Sequence, residues 1–354
     1  MPDGPVRAAA GGTARVDAPS AAQIGQLIER AAAGSVRALA RLITLVESGG
    51  AQAAAVAGAL VGRARGAMVL GVTGPPGVGK STLVTALIAR YRARGARVAV
   101  LAVDPSSPFS GGALLGDRVR MSEHSTDPGV FIRSMSSRGE LGGLSAATAG
   151  AADLLSAIGF DVVVVETVGV GQNEVAVLRL ADTVLLVLSP GLGDGIQAAK
   201  AGILEIADVL VVNKADRDGV ATTVRDLKSM IALGRSGRAE AAQWRVPVLT
   251  TVATRMPGTD HSGLDELLDA VDAHGTHVER RQGAGQRGVR RAEAAVEAVV
   301  LQRLQESLRS PVGRRHLARA AAQVAAGSVD AHTAATRVLD ELATGGSFAP
   351  DGAR

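Results

Sequence analysis

The chain has 354 residues, enough for one large α/β domain with helical additions. Hydrophobic residues make up 47% and aromatic residues only 2%, so the core must be built from Ala, Val, Leu and Ile, and the aromatic platforms that hold single-stranded nucleic acid are missing. A net charge of +4, no cysteine and no uncharged apolar stretch of bilayer length exclude a disulfide scaffold, a thiolate metal site and a spanning helix.

Residues 1–20 are rich in Ala, Gly and Pro without periodicity, and are expected to be disordered. They lack the apolar core of a secretory leader, which points to a cytoplasmic protein. Residues 21–65 turn helical, with Ile24, Leu27 and Ile28, then Val36, Leu39, Ile43 and Val46 at helical spacing. A nucleotide domain is expected over 66–275, with strands at 68–73, 98–103, 162–166, 183–188, 209–213 and 248–252 and helices between most of them. The helix after the first strand runs into 98–103 through one Gly-containing turn, so those strands should be parallel and the sheet nearly all parallel. Residues 276–345 are charged and Ala-rich, with one apolar stripe of Ala292, Val296, Val299, Val300, Leu304 and Leu308, and another of Ala335, Val338, Leu339 and Leu342. Either stripe lies on its own nucleotide domain or meets the same stripe in a second subunit. The basic run from Arg287 to Arg291 reads as a solvated helix face or hinge. Residues 346–354 are expected to be disordered.

The most specific motif opens the nucleotide domain. Gly74, Pro75, Pro76, Gly77, Val78, Gly79, Lys80 and Ser81 form a complete G-x-x-x-x-G-K-S phosphate loop, followed by Thr82, between an apolar strand and an amphipathic helix. The glycines let successive backbone N–H groups face the phosphates, and the helix N-terminus adds its dipole. Lys80 would reach the β- and γ-phosphates, and the Ser81 hydroxyl would bind Mg²⁺.

The base is read further on. Asn213, Lys214 and Asp216 form Asn-Lys-x-Asp at a strand end. The Asp216 carboxylate can accept from the N1–H and 2-amino group of guanine, whereas adenine offers no such donor pair. A last base loop is expected at Val252, Ala253 and Thr254, which departs from the usual Ser-Ala-Lys or Ser-Ala-Leu form: the serine's bracing is lost, while the Ala253 N–H can still reach the guanine oxygen.

Magnesium acids appear as Asp104, Asp117 and Glu166, two of them at strand ends that face the ligand crevice. Glu166 stands where many GTPases carry the Asp of Asp-x-x-Gly, so Gly169 would sense the γ-phosphate and 168–173 would be a switch. Asp117 has a second reading, as a helix cap paired with Arg118 or Arg120. Gln172 and Asp104 are both candidates for positioning the attacking water. Arg133 and Arg138 read either as phosphate contacts or as surface ion pairs.

These strings, with Val-Asp-Pro-Ser-Ser-Pro-Phe-Ser-Gly-Gly-Ala-Leu-Leu-Gly-Asp-Arg at 103–118 and Glu-Thr-Val-Gly-Val-Gly-Gln at 166–172, resemble the MeaB/ArgK-like GTPases across 21–275. The resemblance implies a P-loop NTPase of the mostly parallel-sheet GTPase class, with an N-terminal helical extension and a C-terminal helical dimerisation arm. It further implies slow GTP hydrolysis to GDP, and service to an adenosylcobalamin-dependent acyl-CoA mutase, typically methylmalonyl-CoA mutase, whose cofactor loading it gates. Asp104, Asp117 and Glu166 match the family's magnesium acids. Residues 191–200, with Asp194, Gln197 and Lys200, match its switch toward the mutase. Neither nucleic acid nor membrane is an implied partner. Two other readings, a metal-insertion GTPase and a transport-associated kinase, find less support: there is no cysteine or His-rich tract, and the base motif selects guanine.

Overall fold

The computed structural model describes residues 19–63, 66–104, 124, 126–136, 141–167, 178–191, 206–234, 244–254, 262–282 and 286–344. Among these residues seven strands form one sheet: β1 (Met68–Thr73), β2 (Val98–Asp104), β3 (Val130–Ser136), β4 (Val162–Thr167), β5 (Thr183–Leu188), β6 (Val209–Asn213) and β7 (Val248–Thr251). Their order is β3-β2-β4-β1-β5-β6-β7, and every pairing is parallel. The β4 run Val-Val-Val-Val shows why: parallel strands are covered on both faces, so β-branched residues fill consecutive positions rather than alternate ones.

Strand β3 is an addition to the expected set. Its sequence, Val-Phe-Ile-Arg-Ser-Met-Ser, loses apolar character after three residues because it is an edge strand with one neighbour. Strand β7 ends at Thr251, one residue before the expected limit.

The two faces bury different sets of side chains. On one, Val69, Leu101, Val103, Phe131, Val163 and Val165 pack with Ile24, Ile28, Leu42, Ile43 and Leu155. These last come from α1 (Ala21–Ala32), α2 (Val36–Glu47) and α5 (Leu141–Ala157); α3 (Gly50–Ala59) completes the layer. On the other face Leu70, Val72, Val100, Val164 and Val211 meet Leu83, Leu87, Leu267 and Val271 of α4 (Lys80–Ala93) and α7 (Leu264–Gln282). Helix α6 (Val220–Gly234) covers Leu186, Leu210 and Val212 through Leu227.

Beyond the sheet, α8 (Gln286–Arg309) runs along α5, and α9 (Pro311–Ala325) and α10 (Ala331–Thr344) form a hairpin after it. The apolar stripe of α8 is divided: Leu304 and Leu308 are half-buried and Val299 faces α3 and α5, whereas the valines at 296 and 300 are open. Val296 is 62% and Val300 50% exposed, while the helix docks through the other side, where Ala298 is buried. Arg291 lies within the basic run, yet it is not solvated. It donates to the Ala67 carbonyl at 3.1 Å and pairs with the buried Asp182 at 3.4 Å, so it anchors α8 to β1 and β5. In α10, Val338 and Leu342 are buried and Leu339 is exposed.

Candidate functional site

The C-terminal ends of β1, β4 and β6 bring the phosphate loop, Glu166 and the base motif together, where open parallel sheets bind ligands. Helix α4 starts at Lys80, straight from the loop, so its first N–H groups face the turn formed by 74–79. Gly79 immediately precedes it in the left-handed region (φ 91°). Gly74 (φ +145°) has no room for a side chain: a Cβ there would lie 2.0 Å from the Val187 carbonyl oxygen. Lys80 is buried, and its Nζ donates to the Gly74 and Pro75 carbonyls at 2.8 and 3.1 Å, which holds the ammonium over the loop.

The Ser81 hydroxyl donates to Glu166 Oε1 at 2.7 Å. Glu166 is only 4% exposed, a carboxylate held at the foot of the loop by the end of β4. Oxygen donors of this kind, a hydroxyl and a carboxylate beside a phosphate cradle, suit a hard cation such as Mg²⁺. Among the described residues no three His, Cys, Asp or Glu side chains cluster as a metal site. The β2 backbone delivers Asp104 to the same end of the sheet, but its side chain lies outside the described residues. Asp117, Arg138, Gly169, Gln172, Asp194, Gln197 and Lys200 lie outside them as well.

The base motif is bonded directly to the phosphate loop. Asn213, 2% exposed, donates from Nδ2 to the Val78 carbonyl at 3.0 Å and to the Gly79 carbonyl at 3.4 Å. Its Oδ1 accepts from Thr251 Oγ1 at 3.2 Å and from the Ala253 N–H at 3.3 Å. Lys214 takes a positive φ of 58° and its Nζ donates to the Gly77 carbonyl at 2.6 Å. A cavity of about 130 Å³ opens beside this clamp, lined by Gly79, Thr82, Asn213, Lys214, Asp216, Arg217, Val252, Ala253 and Thr254. Asp216 is exposed there, with its carboxylate available to a ligand edge.

Sequence reasoning missed Thr251 and Arg217. The hydroxyl of Thr251 supplies a brace on Asn213 that loss of the usual serine had removed, and only its place at the end of β7 reveals it. Arg133 takes the ion-pair role: it bonds Glu47 at 2.5 Å and Thr44 at 3.3 Å, tying β3 to α2.

Two other features invite attention and do not carry the chemistry. A larger cavity, about 360 Å³, lies between α3, α5 and α8, but its walls are chiefly Ala, Val and Gly and hold no phosphate-binding turn. Thr183, His274 and Asp208 stand in line, with Thr183 Oγ1 and His274 Nδ1 2.8 Å apart and His274 Nε2 3.2 Å from Asp208. They sit at the opposite end of β5, and Thr183 and His274 are buried, so they form a closed hydrogen-bond network without a substrate path.

Comparison with known proteins agrees with this geometry. The family model described as "Methylmalonyl Co-A mutase-associated GTPase MeaB" matches residues 39–312. A putative GTPase of Pyrococcus abyssi is 44% identical over 323 residues, covering 91% of this chain and 98% of that protein. The GTPase ArgK of Escherichia coli is 38% identical over 257 residues, 71% of this chain and 75% of that one. Among solved structures, a LAO/AO transport system kinase superposes with a TM-score of 0.64 at 27% identity, covering 92% of this chain and all of that one. On the phosphate loop, the Asn-Lys-x-Asp strand end bonded to it and a family match across most of its length, the chain belongs to the MeaB family of P-loop GTPases.

Proposed function

We propose that this GTPase is a conformational switch serving an adenosylcobalamin-dependent acyl-CoA mutase, with methylmalonyl-CoA mutase the partner that the family's description favours. The observation that carries the reading is the Asn213 bridge, which joins the phosphate loop at Val78 to the last base loop at Ala253. A base seated beside Asp216 and phosphates seated on 74–82 are thereby felt by one bonded unit. Lys80 and the loop N–H groups bind and orient the triphosphate. Ser81 and Glu166, joined by Asp104 and Asp117, would hold Mg²⁺, which supplies charge neutralisation for the phosphates. Gly169 and Gln172 would sense the γ-phosphate and shape the switch, with Gln172 and Asp104 the candidates for orienting water. The segment with Asp194, Gln197 and Lys200 would pass nucleotide state to the mutase, whose adenosylcobalamin stays with the mutase. The nucleotide domain would span 66–275, and the arm, 276–345, would make a homodimer through the exposed valines of α8. We place the protein in the cytoplasm; no helix among the described residues is long and apolar enough to cross a membrane.

The partner is tested by co-purifying the full chain with a methylmalonyl-CoA mutase in GDP and in a non-hydrolysable GTP analogue. Nucleotide-dependent retention is expected; no retention in either state overturns the mutase role and leaves the GTPase. The base assignment is tested separately. Asp216→Asn should move preference from guanosine to xanthosine triphosphate by about tenfold or more, since one unpaired polar edge costs 1–3 kcal/mol in binding. Unchanged preference in a competition assay removes Asp216 from the base site.

A further inference from the structure

Strands β1 and β4 are neighbours in register, with Val72 beside Glu166. One residue further along each strand stand Thr73 and Thr167, both 0% exposed, and Thr167 Oγ1 donates to Thr73 Oγ1 at 3.0 Å. Thr73 directly precedes Gly74 of the phosphate loop, and Thr167 directly follows Glu166.

We infer that Thr73 and Thr167 form a positioning pair for GTP hydrolysis, which holds the phosphate loop and the Glu166 strand end at one spacing. The inference rests on the reading of this site as a GTP and magnesium site. Strand alternation puts the two links on opposite faces. Val162 and Val164 belong to the core under α4, so Glu166 shares their face and meets Ser81 there. Val163, Val165 and Val69 belong to the core under α5, so Thr167 and Thr73 share that face. Beyond the backbone pairing of Val72 with Glu166, one side-chain bond on each face ties the end of β4 to the phosphate loop, through Ser81 on one side and Thr73 on the other.

Stability gives no reason for the pair. The preceding β4 positions on this face, Val163 and Val165, are valine, which packs well on a buried sheet, and a buried hydroxyl pair recovers little beyond the water contacts it gave up. Geometry gives one, because a shift of about 1 Å between reacting groups can slow chemistry by about a hundredfold.

The test uses the full chain and the variants Thr167→Val, Thr167→Ser, Thr73→Val and the double valine. GTP turnover, KM, GDP affinity, the magnesium concentration for half-maximal rate and the melting temperature are measured for each. Thr167→Val should lower kcat by at least about tenfold and raise the magnesium requirement, with GDP affinity within about twofold of the parent, since Lys80, Asn213 and Lys214 are untouched. Thr167→Ser should restore kcat. The double valine should be about as slow as the slower single variant, because either substitution already breaks the Thr167–Thr73 bond. Parent kcat in Thr167→Val, equal impairment in Thr167→Ser, or multiplying losses in the double variant would each overturn the pair. If Thr167→Val does not fold, Thr73→Val and Thr167→Ser decide by the same criteria. A parent chain without GTP turnover would remove the underlying reading as well, whereas an active parent with silent valine variants removes the pair alone.

Discussion

Gly74 and Gly77 look alike in the motif, but they are constrained by different forces. A Cβ on Gly74 would collide with the backbone of β5 at Val187, and backbone cannot swing aside. At Gly77 (φ +80°) nothing lies within 4 Å of the same atom, so only the left-handed conformation opposes a side chain. Gly77→Ala should therefore cost about 1–2 kcal/mol of stability, and Gly74→Ala clearly more, because steric overlap adds to any backbone strain. Urea unfolding of the two variants checks this; equal losses would mean that the loop yields at Val187. Asp127 offers a pH-dependent counterpart. Arg92 donates to both of its oxygens, at 2.8 and 2.9 Å, and the Gly129 N–H adds a third bond at 2.8 Å. The Arg92 hydrogen bonds, then that of Gly129, hold its carboxyl below the usual carboxylate range. A depressed folded value means that the stabilisation is complete above the unfolded pKa of about 3.9 and is lost as pH falls through the folded one. Asp127→Asn should melt below the parent at pH 7, with the two melting temperatures converging as pH drops through that window.

Among the elements, legibility in the sequence follows the way each is held. The strand, loop and helix at 68–93 could be read directly because glycine, lysine and an unbroken apolar run are local requirements of one short segment. The Asn-Lys-x-Asp segment could be read for the same reason, although its bonds to Val78 and Gly77 could not. Strand β3 was hidden because an edge strand needs only half the apolar content of a central one, and Arg133 within it points to Glu47 rather than to solvent. Thr73 and Thr167 were hidden because Thr is an ordinary strand residue until its partner is known. Helix α8 misleads in a further way. Large apolar residues draw the eye to Val296 and Val300, whereas close docking on α5 uses alanines, which let two helices approach. Its polar anchor is Arg291. Removing that side chain leaves the buried Asp182 carboxylate with the Val69 N–H but without its cation. Arg291→Ala should thus cost about 3 kcal/mol, with faster amide exchange along α8 than along α4. Exchange in α8 that matches the parent would show that the alanine face suffices.

For the whole molecule, the unfinished surface is the outer face of α8 and the hairpin behind it. A helix of 24 residues is about 36 Å long, and Val289, Val296 and Val300 lie exposed on it, with Val312, Leu317 and Leu339 exposed on the hairpin. Each valine carried from water into an interface contributes up to about 1.5–3 kcal/mol, so a monomer forgoes a substantial gain by leaving this row uncovered. A second copy answers that pattern through an isologous contact, in which one apolar row serves both partners and each substitution acts twice. Val296→Asp combined with Val300→Asp would place four carboxylates in that contact. Light scattering at tens of micromolar should then report a dimer for the parent and a monomer for the double variant. GTP affinity should stay within about twofold, because the substituted positions touch neither the phosphate loop nor the base clamp. Weakened nucleotide binding in a monomeric but folded variant would instead mean that the arm completes the site from the neighbouring copy. A parent that is itself monomeric would leave the valine row to the mutase, and the co-purification experiment repeated with the double variant would then lose its complex.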